Sequence, residues 1–192
     1  MNIKEFQQNK SSKPTAMLTS IVKYSINESH ELRGLFEKQL RELYWAEKIM
    51  IPLLATAVNS AMSSDLIEVL AQHALETTVQ KTRLEKIFSD IGIEAEAKSY
   101  EAMQCFMNEI EALTNQTKKG VVRDAGLISI LQKMKHYEIA CYGTMRSFAL
   151  ALREEEVVLL LEETLEEEKI TDLVLTKIAE AHINIEAADK EI

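Results

Sequence analysis

Apolar side chains recur every three or four positions along four long stretches of the chain, and this period predicts four amphipathic α-helices. A capping-box sequence, Ser-Ile-Asn-Glu, is expected to begin the first helix. Ser64 or Asp65 is expected to cap the second helix, and Gly92 to end it. The predicted helices span residues 25–60, 64–92, 122–152 and 155 to the low 180s.

Two tight turns and one long connection join these helices. Turns are predicted at residues 60–65 and 153–156, where Ser, Asp and Glu interrupt the apolar pattern. The connection of 29 residues, from Ile93 to Val121, contains a short helical segment at residues 100–113. The sequence therefore predicts an all-α four-helix bundle made of two helical hairpins, with a crossover connection that contains a short extra helix.

Residues 28–187 are assigned to this bundle. Residues 1–27 are polar and are expected to form a mobile N-terminal arm, and residues 188–192 a C-terminal tail. The arm contains no apolar run that resembles a signal peptide, and no stretch approaches the roughly 18 apolar residues of a membrane span. We therefore expect a cytoplasmic protein.

A glutamate interrupts the apolar stripe near the middle of each predicted helix, at Glu47, Glu76, Glu138 and Glu167. Glu47 and Glu76 are 29 positions apart, as are Glu138 and Glu167, and the midpoint of each pair lies in a predicted turn. Residues equally distant from the turn of an antiparallel hairpin lie at the same level. The two halves, which repeat with an offset of 91 residues, are therefore expected to bring four carboxylates together.

Four buried carboxylates need compensating charge, because each lone buried ion costs several kcal/mol and total stabilities are only roughly 5–15 kcal/mol. Two divalent cations would supply it, as in bundles with dinuclear carboxylate centres. His73, one turn before Glu76, adds one nitrogen ligand, whereas Val79 and Ile170 stand where a Glu-x-x-His motif has histidine. Such an oxygen-rich site favours Fe or Mn, with Zn, Mg or Ca as alternatives.

Two other interpretations remain open. The stripes could be assigned in the wrong phase, so that the glutamates extend towards solvent or lie at an exposed edge between helices. Alternatively, Lys135 and Arg83 could neutralise the carboxylates together with shared protons, so that no metal is needed.

Composition excludes some classes of partner. The chain has 22 basic and 31 acidic residues, a net charge of −9 and a pI near 5.1, which argues against nucleic acid and anionic membranes as partners. Its two cysteines, Cys105 and Cys141, are too few for a disulfide framework and suit a reducing cytosol.

The sequence resembles the YciE/YciF family of ferritin-like bacterial stress proteins over about residues 30–185. Four segments together make the resemblance specific. They are LYWAEK at residues 43–48, HALETTVQKTRLEKIF at 73–88, VRDAGLISILQKMKHYEIACYGT at 122–144 and LEETLEEEKITDLVLTKIA at 161–179.

The resemblance implies a ferritin-like bundle, a homodimer, a candidate dinuclear metal centre and a role in the stress response. By motif, the metal ligands would be Glu47, His73, Glu76, Glu138 and Glu167. The third-helix motif often reads Glu-His-Tyr-Glu in this family, but here Lys135 takes the first place. An ammonium group near the site would reduce its occupancy to one metal or none.

Three functions compete on these grounds. The first is a dinuclear centre with Fe(II)- or peroxide-directed oxidation chemistry, the second a non-catalytic bundle stapled by metal, and the third a metal-free bundle. The second and third would act by association with a partner. No catalytic residue is assigned.

Overall fold

The computed structural model describes the backbone of residues 14–190 and the side chains of residues 31–190. Within these residues the chain is helical, without a strand. The helices are α1 (Pro14–Ser60), α2 (Ser64–Asp90), α3 (Glu101–Gln116), α4 (Val121–Ala151) and α5 (Glu155–Ile178), then a π-helical turn (Ala179–Ile183) and α6 (Asn184–Asp189). None of the helices described is both long and apolar enough to cross a membrane.

Helices α1 and α2 form one hairpin, and α4 and α5 form the other. The hairpins pack with α1 against α4 and α2 against α5, while α3 lies in the crossover and packs on α4. At the α3–α4 contact, a Cβ atom on Gly126 would lie 2.7 Å from the Leu113 side chain, so glycine permits the close approach. The predicted all-α bundle of two hairpins, with a short helix in the crossover, is confirmed.

The ends of the helices differ from prediction in two places. Helix α1 covers Pro14–Ser60 and extends ahead of the predicted capping box, so residues 14–27 of the predicted arm are helical, while residues 1–13 lie outside the described part. Ser63, not Ser64 or Asp65, caps α2 by accepting the Leu66 amide hydrogen. Gly92 ends α2 as predicted, with φ of 74°.

Two apolar clusters fill the bundle, one near each hairpin turn. The cluster near the α1–α2 turn includes Met50, Leu54, Leu66, Leu127 and Leu131. The cluster near the α4–α5 turn includes Phe36, Leu40, Leu84, Met145 and Leu161. Between the two, at mid-height, all four long helices place buried polar side chains, and this level is the polar layer described below.

Asp124, near the start of α4, joins the two hairpins. Its side chain is fully buried and accepts hydrogen bonds from the backbone amides of Met62 (2.9 Å) and Ser63 (2.7 Å) in the α1–α2 turn. A carboxylate that receives two amide hydrogens is well compensated, and these amides precede the first turn of α2. The turn of the first hairpin is therefore held by a residue of the second.

We expect Asp124→Ala to lower the free energy of unfolding by about 2–4 kcal/mol, because two shielded amides lose a charged acceptor. Urea unfolding measures this change. The exposed residue Asp65, in the first turn of α2, offers a control. Asp65→Ala should cost less than about 1 kcal/mol. Equal losses in the two variants would show that Asp124 does not hold the turn.

Candidate functional site

The polar layer contains nine buried side chains drawn from all four long helices. Three are carboxylates, and one is a lysine. The members are Glu47, His73, Thr77, Gln80, Lys135, Glu138, Thr164, Glu168 and Thr171. Their positions follow from helical periodicity, since each lies on the stripe that also buries leucine and isoleucine one or two turns away.

The ammonium group of Lys135 lies at the centre of the layer. Its Nζ atom is 2.6 Å from His73 Nε2 and forms an ion pair with Glu168. It is also 2.5 Å from Glu138 Oε2, a close contact that lacks the angles of a directed hydrogen bond. The lysine side chain has no exposed surface. Its single positive charge is therefore surrounded by these three polar groups, which lie on three helices, and not by water.

The contact with Lys135 determines which ring nitrogen of His73 carries the proton. An ammonium group can only donate hydrogen bonds, so Nε2 of His73 must accept and Nδ1 must hold the proton. Burial and the positive charge of Lys135 lower the pKa of His73, which keeps the ring neutral at physiological pH. In this form the Nε2 lone pair is already used by the lysine.

Glu47 and Glu138 are shielded from water and are held in the protonated form. Burial, with the nearby charge of Glu168, raises the pKa of Glu47 to about 8, although Tyr142 donates a hydrogen bond of 2.6 Å to its Oε1. Burial also holds the pKa of Glu138 well above its ordinary value. Glu47 is therefore mainly neutral at pH 7, and the raised pKa of Glu138 favours its neutral form.

Lys135 and Glu168 remain ionised. Burial alone would lower the pKa of Lys135, but the adjacent carboxyl groups of Glu138 and Glu168 outweigh it and raise that pKa. Burial alone would raise the pKa of Glu168, but the charge of Lys135 outweighs it and lowers that pKa. With His73 neutral, the layer then holds one positive and one negative charge, so its charge balances without a metal ion.

Several buried atoms in the layer still have no hydrogen-bond partner. They are Glu47 Oε2, His73 Nδ1, Gln80 Oε1, Glu138 Oε1, Glu138 Oε2 and Glu168 Oε1. Unpaired buried polar atoms are costly, and their concentration at one level marks a site that can accept further donors or a cation. The layer is therefore neutral in charge but incompletely bonded.

Glu167 lies at the rim of the layer, with 28% of its side chain exposed. Arg83 binds it with two hydrogen bonds, of 2.6 Å and 2.7 Å, and also binds Glu163 at 2.7 Å. Gln80 donates a further hydrogen bond of 3.0 Å to Glu167. Arg83 thus pairs with Glu163 and Glu167 at the rim, while Lys135 pairs with Glu168 inside the layer.

Glu76 also lies at the rim, with 29% of its side chain exposed. Its Oε2 is 3.9 Å from His73 Nδ1, which is longer than a hydrogen bond, and it accepts a bond of 3.0 Å from Gln72. It lines a groove of about 250 Å³ between α2 and α5 that also includes Glu68 and Thr171. Glu76 therefore faces the outer side of the histidine.

Of the five residues predicted as metal ligands, the structure buries Glu47, His73 and Glu138 in the polar layer, and it brings ligand atoms of His73 and Glu138 together with one of Glu168. The placement of Glu167 in the core was wrong, because it lies at the rim and the next residue along α5, Glu168, is buried instead. Glu76 likewise lies at the rim, and its neighbour Thr77 is buried.

A signal for Glu168 was present in the sequence. Leu161, Leu165 and Leu175 form a more apolar stripe than the one that contains Thr164 and Glu167. Tyr142 was missed entirely, since nothing in its spacing distinguishes it from an ordinary core residue.

The two-fold repeat persists in the polar layer, although its residues differ. Glu47 and Glu138, which are 91 positions apart, are both buried, and so are His73 and Thr164. Thr77 in the first half corresponds to Glu168 in the second. The two halves therefore have the same helical arrangement, but only the second contains both the buried lysine, Lys135, and its ionised partner, Glu168.

A dinuclear metal centre does not fit this arrangement. Of the carboxylates expected to hold it, Glu76 and Glu167 lie at the rim, and Arg83 engages Glu167. Lys135 contacts His73, Glu138 and Glu168, whose ligand atoms lie within 4.8 Å of one another. These three groups suit one cation, and the ammonium of Lys135 already makes the contacts that such a cation would need.

Comparisons with known proteins agree on one family. A family model described as a domain of unknown function (DUF892) matches residues 31–188. Protein YciF of Escherichia coli (strain K12) is 34% identical over 160 residues, which cover 83% of this chain and 96% of that protein. The crystal structure of the E. coli stress protein YciF matches with a TM-score of 0.76, covering 80% of this chain and 97% of the other.

Two further solved structures are similar. YcfI of Rhodopseudomonas palustris is 29% identical, with a TM-score of 0.74, and the match covers 76% of this chain and 92% of that one. A protein from Xanthomonas campestris has a TM-score of 0.69 and covers 83% of this chain and 98% of its own. At 20% identity, the latter supports the fold alone.

Stability is expected to fall as pH rises between about 4.5 and 8, because folded Glu47 keeps a proton that the unfolded chain releases. Below this window Glu47 is protonated in both states, and above it Glu47 is ionised in both. Glu47→Gln cannot titrate but can still accept the Tyr142 hydrogen bond. It should therefore make the free energy of unfolding decline less over this range, as measured by urea unfolding at pH 5 and pH 8.

Glu31→Gln, at an exposed position on α1, is the matched control and should leave the decline unchanged. If Glu47→Gln shows the same decline as the unaltered protein, Glu47 does not hold a proton in the folded state.

Proposed function

Since this chain belongs to the DUF892 family of YciF-like stress proteins, we propose that it serves the bacterial stress response as a non-catalytic helical bundle without a resident metal. The position of Lys135 is the observation that supports this proposal. Its ammonium contacts His73, Glu138 and Glu168, which are the groups that would otherwise hold a cation. A stable metal-free interior suits a structural role better than redox turnover.

Charge supports the same conclusion. Lys135 and Glu168 balance each other as an ion pair, and burial favours the neutral forms of Glu47 and Glu138, which leaves little charge for a metal to balance. A divalent cation beside Lys135 would bring two positive centres together in a region shielded from water, which is strongly unfavourable. The lysine therefore opposes the binding of the metals first expected at this site.

A second function has support from one observation. Ligand atoms of His73, Glu138 and Glu168 lie within 4.8 Å of one another, and unpaired oxygens of Glu47, Glu138 and Glu168 remain beside them. These atoms could hold one Fe or Mn ion, which would supply oxidation chemistry when bound. Such binding requires Lys135 to leave its place.

A non-catalytic bundle would act by association, and we propose a second copy of the chain as its first partner. Light scattering at micromolar concentration should then give twice the chain mass of 21.8 kDa. A mass of one chain at that concentration would contradict the homodimer.

We expect protein purified without chelator to contain well under one Fe, Mn or Zn per chain by elemental analysis. Treatment with EDTA should leave its melting temperature unchanged within about 1 °C, because no bound metal contributes to stability. Thermal unfolding with and without EDTA measures the second quantity.

Near-stoichiometric metal would contradict the proposal. Metal with a chelator-sensitive melting temperature but no turnover would indicate a metal-stapled bundle. Fe(II)-dependent oxygen consumption that is lost in Glu138→Gln, but kept in the exposed control Glu166→Gln, would instead establish the oxidation function.

A further inference from the structure

We infer that Lys135 masks a site for one divalent transition-metal ion, formed by His73, Glu138 and Glu168, and that replacing the lysine opens this site. The inference deepens the proposed function, because it rests on the lysine as the internal cation. It concerns what the chain would bind once that cation is removed.

The donor atoms come from three helices and converge on one point. His73 is on α2, Glu138 on α4 and Glu168 on α5, and one ligand atom from each lies within 4.8 Å of the others. All three side chains are buried, so packing fixes their positions before any ion arrives. One imidazole nitrogen and two carboxylate oxygens suit first-row divalent ions such as Zn²⁺ and Mn²⁺.

Several carboxyl oxygens of the site are not bound by the lysine and could bind a metal ion. Glu138 Oε1 and Glu168 Oε1 have no hydrogen-bond partner, and neither does Glu47 Oε2, which belongs to the same layer. A lysine ammonium has three hydrogens, whereas a metal ion can take four or more ligands. Metal binding releases the protons of its carboxyl ligands, and the oxygens then exceed the number that Lys135 can engage.

Lys135 and a metal ion compete for the same lone pair. Nε2 of His73 lies 2.6 Å from Lys135 Nζ and accepts its hydrogen bond. A metal bound through Nε2 would need the lone pair that this bond occupies. Occupation by the ammonium and by a metal are therefore mutually exclusive, which is the meaning of masking here.

Loss of the lysine would also leave Glu168 without its ionised partner. A buried carboxylate whose partner is removed is strongly destabilising, and a divalent cation would restore the missing charge. The groove lined by Gln72, Glu76 and Thr171 reaches Glu76, whose Oε2 is 3.9 Å from His73 Nδ1. Charge thus favours binding once position 135 is apolar.

The test compares Lys135→Met with a control, Lys133→Met. Lys133 is on the same helix but is half exposed and pairs with Glu109 at the surface. In chelator, Lys135→Met should lower the melting temperature by roughly 10 °C, and the control should change it little. Adding Zn²⁺ or Mn²⁺ should restore most of the lost melting temperature of Lys135→Met. Calorimetry should show one Zn²⁺ bound per chain.

The double variant Lys135→Met/Glu168→Gln locates the ion. It removes both members of the ion pair together with one ligand, so it should fold and bind neither Zn²⁺ nor Mn²⁺. If Lys135→Met requires Zn²⁺ to fold at all, the inference is supported. If it fails to fold even with Zn²⁺, Lys135→Gln replaces it as the single variant, with the same expected binding.

Three results would overturn the inference. They are a folded single variant that binds neither ion, binding that persists in the double variant, and binding of equal strength in the Lys133→Met control. These outcomes are distinct from failure of the proposed function, which depends on metal in the unaltered protein. That protein should show no change in melting temperature with Zn²⁺.

Discussion

The ion pair between Lys135 and Glu168 is the interaction on which the interior of this bundle depends. It places a positive charge at mid-height in a core that is otherwise apolar above and below. That charge keeps Glu168 ionised, while burial favours the neutral acid forms of Glu47 and Glu138. Without it, α2, α4 and α5 would each direct polar groups into a region that offers them no compensation.

Different basic side chains neutralise the carboxylates at the rim and at the centre of the polar layer. Arg83 engages Glu163 and Glu167 near solvent, where each contact contributes little to stability. Lys135 engages His73, Glu138 and Glu168 where water is excluded, and there the contacts matter more. The choice of residue follows the geometry, since the planar guanidinium suits a bidentate carboxylate and the compact ammonium suits three converging groups.

Most of the fold could be predicted from the sequence, because helical periodicity, turn residues and the repeat of 91 positions all favoured the same two hairpins. The site was predicted only in part. Glu47 and Glu138 were placed correctly because their stripes are apolar on both sides. Glu167 and Glu168 are adjacent within a run of glutamates, and a helix turns by only about 100° per residue, so a small error in phase exchanged them. Whether lysine or metal balances the charge depends on distances that spacing does not supply.

Each hairpin turn is held by a side chain from the other half of the chain. Asp124 accepts hydrogen bonds from two amides of the α1–α2 turn, and Arg33, 91 positions before Asp124, forms an ion pair with Glu154 at the α4–α5 turn. A fragment that ended in the crossover would lose both contacts and leave the two amides to the solvent. The halves are therefore not independent modules, and the chain is expected to gain or lose its structure as a single cooperative unit.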